Sequence, residues 1–90
     1  MSIKVNIHPS FQRHTNGVRV AKVEGDTVGE CLEQLVKQFP NIEQELFDVN
    51  GELPAYVDIY VNHKSAYPEE LSKVVKDEDE LDIVLLIFGG

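Results

Sequence analysis

The stretch Leu81-Asp82-Ile83-Val84-Leu85-Leu86-Ile87-Phe88-Gly89-Gly90 decides the fold. Apart from Asp82 it is apolar up to the two glycines. A short continuous apolar run bounded by turn residues reads as a strand contacted on both faces. At the other end of the chain, Ile3-Lys4-Val5-Asn6-Ile7-His8 alternates apolar and polar, the period of a half-buried strand. Two arrangements accommodate them. In one, a right-handed crossover makes the second and third strands parallel neighbours. In the other, the first and last strands pair in parallel at the centre of the sheet. The continuous apolarity of the last strand favours the second.

Between these ends the pattern shifts from strand to helix and back. Pro9 ends the regular pairing of the first strand. Residues Ser10 to Gly17 are polar apart from Phe11, and Asn16-Gly17 is a turn signal. A second strand is predicted from Val18 to Glu24, with its inward parity open between Val18/Val20 and Ala21/Val23. Thr27-Val28-Gly29-Glu30 matches a capping box. Val28, Leu32, Leu35, Val36 and Phe39 then form one helical stripe, and Pro40 stops it. Ile42 to Phe47 reads as a short extra turn anchored by Ile42, Leu46 and Phe47, and Asp48 to Pro54 as a loop. Val57 to Asn62 is a third alternating strand, and Asn62-His63-Lys64 turns the chain. Leu71, Val74 and Val75 give an apolar patch before the acidic turn Asp77-Glu78-Asp79-Glu80.

The order is β, β, α, turn, β, short segment, β. It predicts a single α+β domain over residues 1–90, a mixed sheet with one main helix on one face. The predicted core holds Leu32, Leu35, Val36, Ile59, Val61, Ile83 and Leu85.

Composition narrows the function classes. The chain has 90 residues, 42% of them hydrophobic, and a formal net charge of −8. That charge disfavours nucleic acid and anionic membranes as partners, because phosphates repel it. No apolar run reaches the ~18 residues of a membrane span. The start lacks the charged head and apolar middle of a signal peptide, so a cytoplasmic protein is expected. The single cysteine, Cys31, excludes an internal disulfide and multi-cysteine metal sites. At the margin of the helical stripe it reads as a small buried hydrophobe. His8, His14 and His63 are too widely spaced to suggest a metal centre. His8 and His63 read as surface residues, and His14 as ordering its loop. No paired carboxylates, phosphate loop or Ser/His/Asp set is visible, so the chain is not expected to be an enzyme.

Taken together, the strand, Asn-Gly turn, strand, Asp26-Thr27-Val28 opening a helix, Phe39-Pro40 closing it, and an apolar last strand ending in Gly89-Gly90 resemble the ubiquitin-like sulfur carriers. That family includes the molybdopterin synthase small subunit, the thiamine sulfur carrier and the carrier of one route to cysteine. His14-Thr15-Asn16-Gly17 and Val57-Asp58-Ile59-Tyr60-Val61-Asn62 look most like the cysteine-type carriers. The resemblance covers nearly the whole chain and implies a β-grasp, ubiquitin-like fold with a flexible tail over residues 88–90. One departure stands out. The family commonly has Asp-Gly-Asp before its last strand, and here the turn is Asp77-Glu78-Asp79. Glu78 disfavours a turn that needs positive φ, which leaves a type I turn.

The resemblance also implies the chemistry. A terminal carboxylate has a pKa of about 3.3–3.7 and is anionic at neutral pH. It is a poor electrophile until activated. By resemblance, Gly90 is adenylated with ATP and converted to a thiocarboxylate, with no cofactor or metal bound by the chain itself. Glycine at 89 and 90 suits a tail that must thread a narrow channel. Strand parity puts Leu81, Ile83, Leu85 and Ile87 toward the helix and Val84, Leu86 and Phe88 outward. Those three, joined by Tyr60, are predicted to form an apolar partner site leading to the tail.

The partners implied by the resemblance are a ubiquitin-activating-type adenylyltransferase and a downstream synthase. For the cysteine-type carriers the synthase is a pyridoxal-phosphate-dependent cysteine synthase, with a deubiquitinase-type metalloprotease releasing the product. The alternative in the same class is the small subunit of molybdopterin synthase, whose synthase partner is the large subunit. From other classes come a ubiquitin-like protein modifier and an interaction module with an inert tail.

Overall fold

The computed structural model describes residues 2–86. The strands are β1 (Ser2–Asn6), β2 (Val20–Glu24), β3 (Val57–Val61), β4 (Lys64–Ser65) and β5 (Glu80–Leu85). The helices are α1 (Val28–Gln38) and the single turn α2 (Glu43–Leu46). One five-stranded mixed sheet runs in the order β2-β1-β5-β3-β4. β1 and β5 pair in parallel at its centre, with Val5 opposite Leu81 and Asn6 opposite Asp82. All other neighbours are antiparallel.

This centre follows from the apolar pattern. Leu81 and Ile83 of β5 sit between Ile3 and Val5 of β1 and Val57 and Ile59 of β3, and all six are buried. The inner face of the sheet meets α1, which contributes Val28, Cys31, Leu32 and Leu35. The cap forms with both expected side chains, Glu30 reaching one residue beyond the N-cap Thr27. The Thr27 hydroxyl accepts from the Glu30 N–H at 3.2 Å, and the Glu30 carboxylate accepts from the Asp26 N–H at 2.8 Å. At the far end the Phe39 N–H closes on Leu35 O at 2.9 Å. Pro40, with no N–H to continue the helix, opens a 3₁₀ turn over Pro40–Ile42. Ile42 and Leu46 are fully buried and extend the core beyond the helix.

Several sequence expectations are corrected. The second strand begins at Val20 rather than Val18, because Val18 is held in a turn by Thr15 through its own N–H to Thr15 O. Its parity is settled by β1: Ala21 and Val23 are buried, whereas Val20 is 47% exposed. The stretch after Pro9 is a 3₁₀ helix, Pro9–His14, that drives Phe11 into the core. His8 caps it by accepting the Ser10 N–H at Nδ1, 3.0 Å away. β4 was not foreseen. It follows a two-residue turn at Asn62 and His63, whose φ values of 50° and 72° are the positive pair of a type I′ hairpin. Val36, Val61 and Leu85 lie at the margin of the core, only partly buried. Val74 is 68% exposed while Val75 is 2% exposed, because adjacent residues of extended chain point to opposite sides.

The acidic turn is also corrected. Glu78 adopts a φ of 69°, so the turn takes the positive-φ form despite lacking glycine. Asp79 anchors it, accepting from the Lys76 N–H at 2.8 Å and from the Asn62 amide at 2.9 Å. No helix among the described residues is long and apolar enough to cross a membrane.

Candidate functional site

Residues directly opposite each other in a sheet share a face, so the outer face can be read from the register. Val84 lies opposite Asp58, and Tyr60 opposite Asp82. Val84, Tyr60 and, two residues on from Val84, Leu86 therefore keep outward parity, as predicted. Val84 and Tyr60 are half-buried, and Leu86 is exposed. The Leu86 N–H donates to Tyr56 O at 2.7 Å, which ties the end of β5 to the residue before β3. Phe88, Gly89 and Gly90, with Ile87, lie outside the described residues.

Beside this apolar strip the outer face is polar and ordered. The Asn6 amide donates to Asp82 Oδ1 at 2.6 Å and also to the Glu80 carboxylate. His63 Nδ1 lies 3.5 Å from Asp82 Oδ2. The Asn6 amide holds the Glu80 carboxyl below its ordinary pKa. The Asn62 amide, and then the Lys76 N–H, do the same for Asp79.

A second feature escaped the sequence reading. Asp58 is only 6% exposed. Its Oδ1 accepts from the Ile59 N–H at 2.8 Å and its Oδ2 from the Ser65 hydroxyl at 2.6 Å. Ser65 Oγ in turn accepts from the Tyr67 N–H at 3.1 Å. Asp58 thus ties β4 and the segment after it to β3. In sequence it is one polar residue of an alternating strand, with nothing to separate it from a solvated one.

Cys31 is fully buried, and burial pushes its thiol up to about 11, with the negative charge of Glu30 adding to the effect. It is held as a thiol at neutral pH and lacks the thiolate that a nucleophile needs. His14 lies 3.5 Å from Glu45, which joins its loop to α2. No group of three His, Cys, Asp or Glu among the described residues could hold a metal ion.

The model of the ThiS family matches residues 11–90. This chain belongs to the ThiS family. Over its full length it is 29% identical to the sulfur carrier protein CysO of Mycobacterium tuberculosis, with all of both chains covered. Among solved structures it is similar to CysO in the BexX/CysO complex of Amycolatopsis orientalis, at 27% identity and a TM-score of 0.87, covering 98% of this chain and 99% of that one. It is equally similar to SAMP1, the small archaeal modifier protein 1 of Haloferax volcanii, at 27% identity and a TM-score of 0.86, with both chains fully covered. The fold is accordingly the ubiquitin-like β-grasp, with β1, β5 and α1 as its central elements.

Within a ThiS-family chain the placement of the strip has a simple cause. The last strand is central, so its outer face is flanked by β1 and β3. Pairing alone puts Val84, Tyr60 and Leu86 on one face, with Tyr60 opposite Asp82 and Val84 opposite Asp58.

Proposed function

We propose that this protein is a sulfur carrier, a cosubstrate whose working group is the carboxylate of Gly90. The observation that carries the reading is the family match running through residue 90, on a chain alike over its full length to a sulfur carrier. A ubiquitin-activating-type adenylyltransferase activates the tail. A Gly90 carboxylate oxygen attacks the α-phosphate of ATP, and pyrophosphate leaves. Hydrosulfide or a persulfide sulfur then attacks the acyl carbon. The C–S bond forms, the C–O bond to AMP breaks, and a thiocarboxylate remains. A persulfide donor passes its terminal sulfur by a later S–S cleavage, which needs a reducing thiol.

The likeness to CysO favours a pyridoxal-phosphate-dependent cysteine synthase as the acceptor enzyme. The new amino acid is then held on the tail until a deubiquitinase-type metalloprotease releases it. Tyr60, Val84, Leu86 and Phe88 form the docking strip for these partners, and Gly89 passes through the narrow channel to the activating site. Val84 and Leu86 sit where an enzyme gripping the tail must approach, and the cytoplasm is where such enzymes meet the chain.

A second reading has its own support. SAMP1 is a protein modifier by name and matches this fold as well as CysO does. On that reading the activated Gly90 acylates a lysine amine of a target instead of hydrosulfide.

The test is ATP–pyrophosphate exchange with the host's adenylyltransferase. Deleting Gly90, or appending one alanine after it, is expected to abolish exchange while circular dichroism stays unchanged. One added residue moves the carboxylate by about 3.3–3.6 Å, as far as reacting atoms sit apart in a near-attack geometry, about 3–3.5 Å. Exchange at the wild-type rate by both variants would reject the carrier reading. Thiocarboxylate on protein purified from its host separates the carrier from the modifier, which leaves lysine conjugates in the lysate.

A further inference from the structure

At the end of the sheet where β3 begins and β5 finishes lies an open cleft of about 590 Å³. Its apolar wall includes Leu53, Tyr67, Leu71 and Leu86. Its polar lining is acidic: Glu52, Glu69 and Glu70 beside the buried Asp58, with no lysine, arginine or histidine among the lining residues. Asp58 is satisfied by Ile59 and Ser65. By contrast, the Glu52, Glu69 and Glu70 carboxylates make no hydrogen bond or ion pair among the described residues. Tyr67, 75% exposed, stands over the same space.

We propose that this cleft docks a basic segment, an arginine or lysine next to an apolar side chain, of the adenylyltransferase that acts on the tail. The identity of the enzyme rests on the carrier reading. The chemistry of the segment rests on the cleft.

Three observations select this occupant. Uncompensated carboxylates attract a cation, and an exposed tyrosine ring beside them suits a guanidinium, which stacks on aromatic faces and accepts carboxylates in its plane. The apolar wall takes an aliphatic neighbour. Reach fixes the rest. Leu86 lines the cleft, and only residues 87–90 separate it from the working carboxylate. Those residues span at most about 13–14 Å when fully extended. An enzyme holding Gly90 in its active site therefore comes within reach of the cleft. The tail itself is a poor occupant, since its carboxylate meets three like charges, and a second copy of a chain with net charge −8 is repelled as a whole.

The experiment compares two charge reversals of equal size. Glu69→Lys with Glu70→Lys alters the cleft, while Glu33→Lys with Glu43→Lys alters acidic residues elsewhere on the surface. Both are measured against the host adenylyltransferase by calorimetry and by pyrophosphate exchange, with thermal melts as a check on folding. The cleft pair is expected to raise Kd and KM at least about tenfold with kcat nearly unchanged, and Tyr67→Ala to weaken binding in the same direction. The distant pair should change Kd less than about threefold. Equal losses from both pairs would reduce the effect to net charge and overturn the proposal, as would equal affinity of wild type and cleft pair. Wild-type protein that binds through the cleft but is never adenylated would reject the carrier reading and keep the docking site. Binding by wild type too weak to detect would overturn the docking proposal.

Discussion

Glu78 carries a backbone φ of 69° in the turn that feeds β5. A left-handed conformation costs an ordinary L-residue about 1–2 kcal/mol, whereas glycine enters it freely at an unfolded-state entropy cost of about 0.5–1 kcal/mol. Glu78→Gly is therefore expected to stabilise the fold by about 0.5–1 kcal/mol, read from urea unfolding. A loss of stability would show that the Glu78 side chain contributes more than its backbone costs. Gly29 makes the opposite case. In a helix interior Gly→Ala ordinarily gains about 0.8–1 kcal/mol. Here a Cβ would lie 2.9 Å from the carbonyl oxygen of Leu71, which is backbone and cannot swing aside. Gly29→Ala is expected to cost on the order of 1–3 kcal/mol by overpacking, visible in the same titration. Neither result could be reached from the sequence alone. Residue type disfavours a positive φ at Glu78 and leaves a type I turn open, and nothing in a local pattern reveals that Leu71 crosses over Gly29.

At the scale of elements, legibility tracks how far one local signal could point only one way. Helix α1 had both of its signals, a capping box at Thr27 and Glu30 and a stop at Pro40, and both operate. β5 was legible because no surface strand is so continuously apolar, and its parallel pairing with β1 follows. β2 was not, because Val18, Val20, Ala21 and Val23 offer an apolar set to either face, and only pairing with β1 selects Ala21 and Val23. β4 is two polar residues placed by a turn and by the Ser65 bond to Asp58, a contact without sequence periodicity. The candidate strip was half legible: parity placed Val84, Leu86 and Tyr60 on the outer face, while the cleft beside Leu86 depends on a segment from Tyr67 to Ser72 whose path has no pattern. Leu35 is fully buried between helix and sheet. Leu35→Ala should cost about 2–5 kcal/mol in chemical denaturation. A cost below about 1 kcal/mol would mean that the helix face can collapse onto the space.

Across the whole molecule, β1 is stitched to β5 and the turn before it by backbone and carboxylate bonds. The Ser2 N–H donates to Asp77 Oδ1 at 2.7 Å, the Glu78 N–H to Ser2 O at 2.8 Å, and the Asn6 amide bridges Glu80 and Asp82. Much of an acidic protein's charge repels itself, but here several acids also hold β1 against β5 in the strand that leads to the tail. The consequence is a pH dependence with a defined sign. In the folded protein the Glu80 pKa lies below its ordinary value of 4.5, chiefly because the Asn6 amide favours the carboxylate. A depressed folded pKa contributes stability that is complete above the unfolded value and is lost as pH falls through the folded one. Asn6→Ala removes the largest cause, so the Glu80 pKa should rise toward its ordinary value in the folded variant. The variant should therefore melt below wild type at neutral pH, and the gap should narrow as pH falls below 4.5. Melts followed by circular dichroism across that range check it, with the Glu80 carboxyl titrated by NMR in both proteins. Glu80 is a solvent-facing group, so the gap should also shrink with added salt at neutral pH, as screened charge interactions do. A gap that is constant across pH would assign the Asn6 contribution to packing between β1 and β5 rather than to its bond with a charged carboxylate.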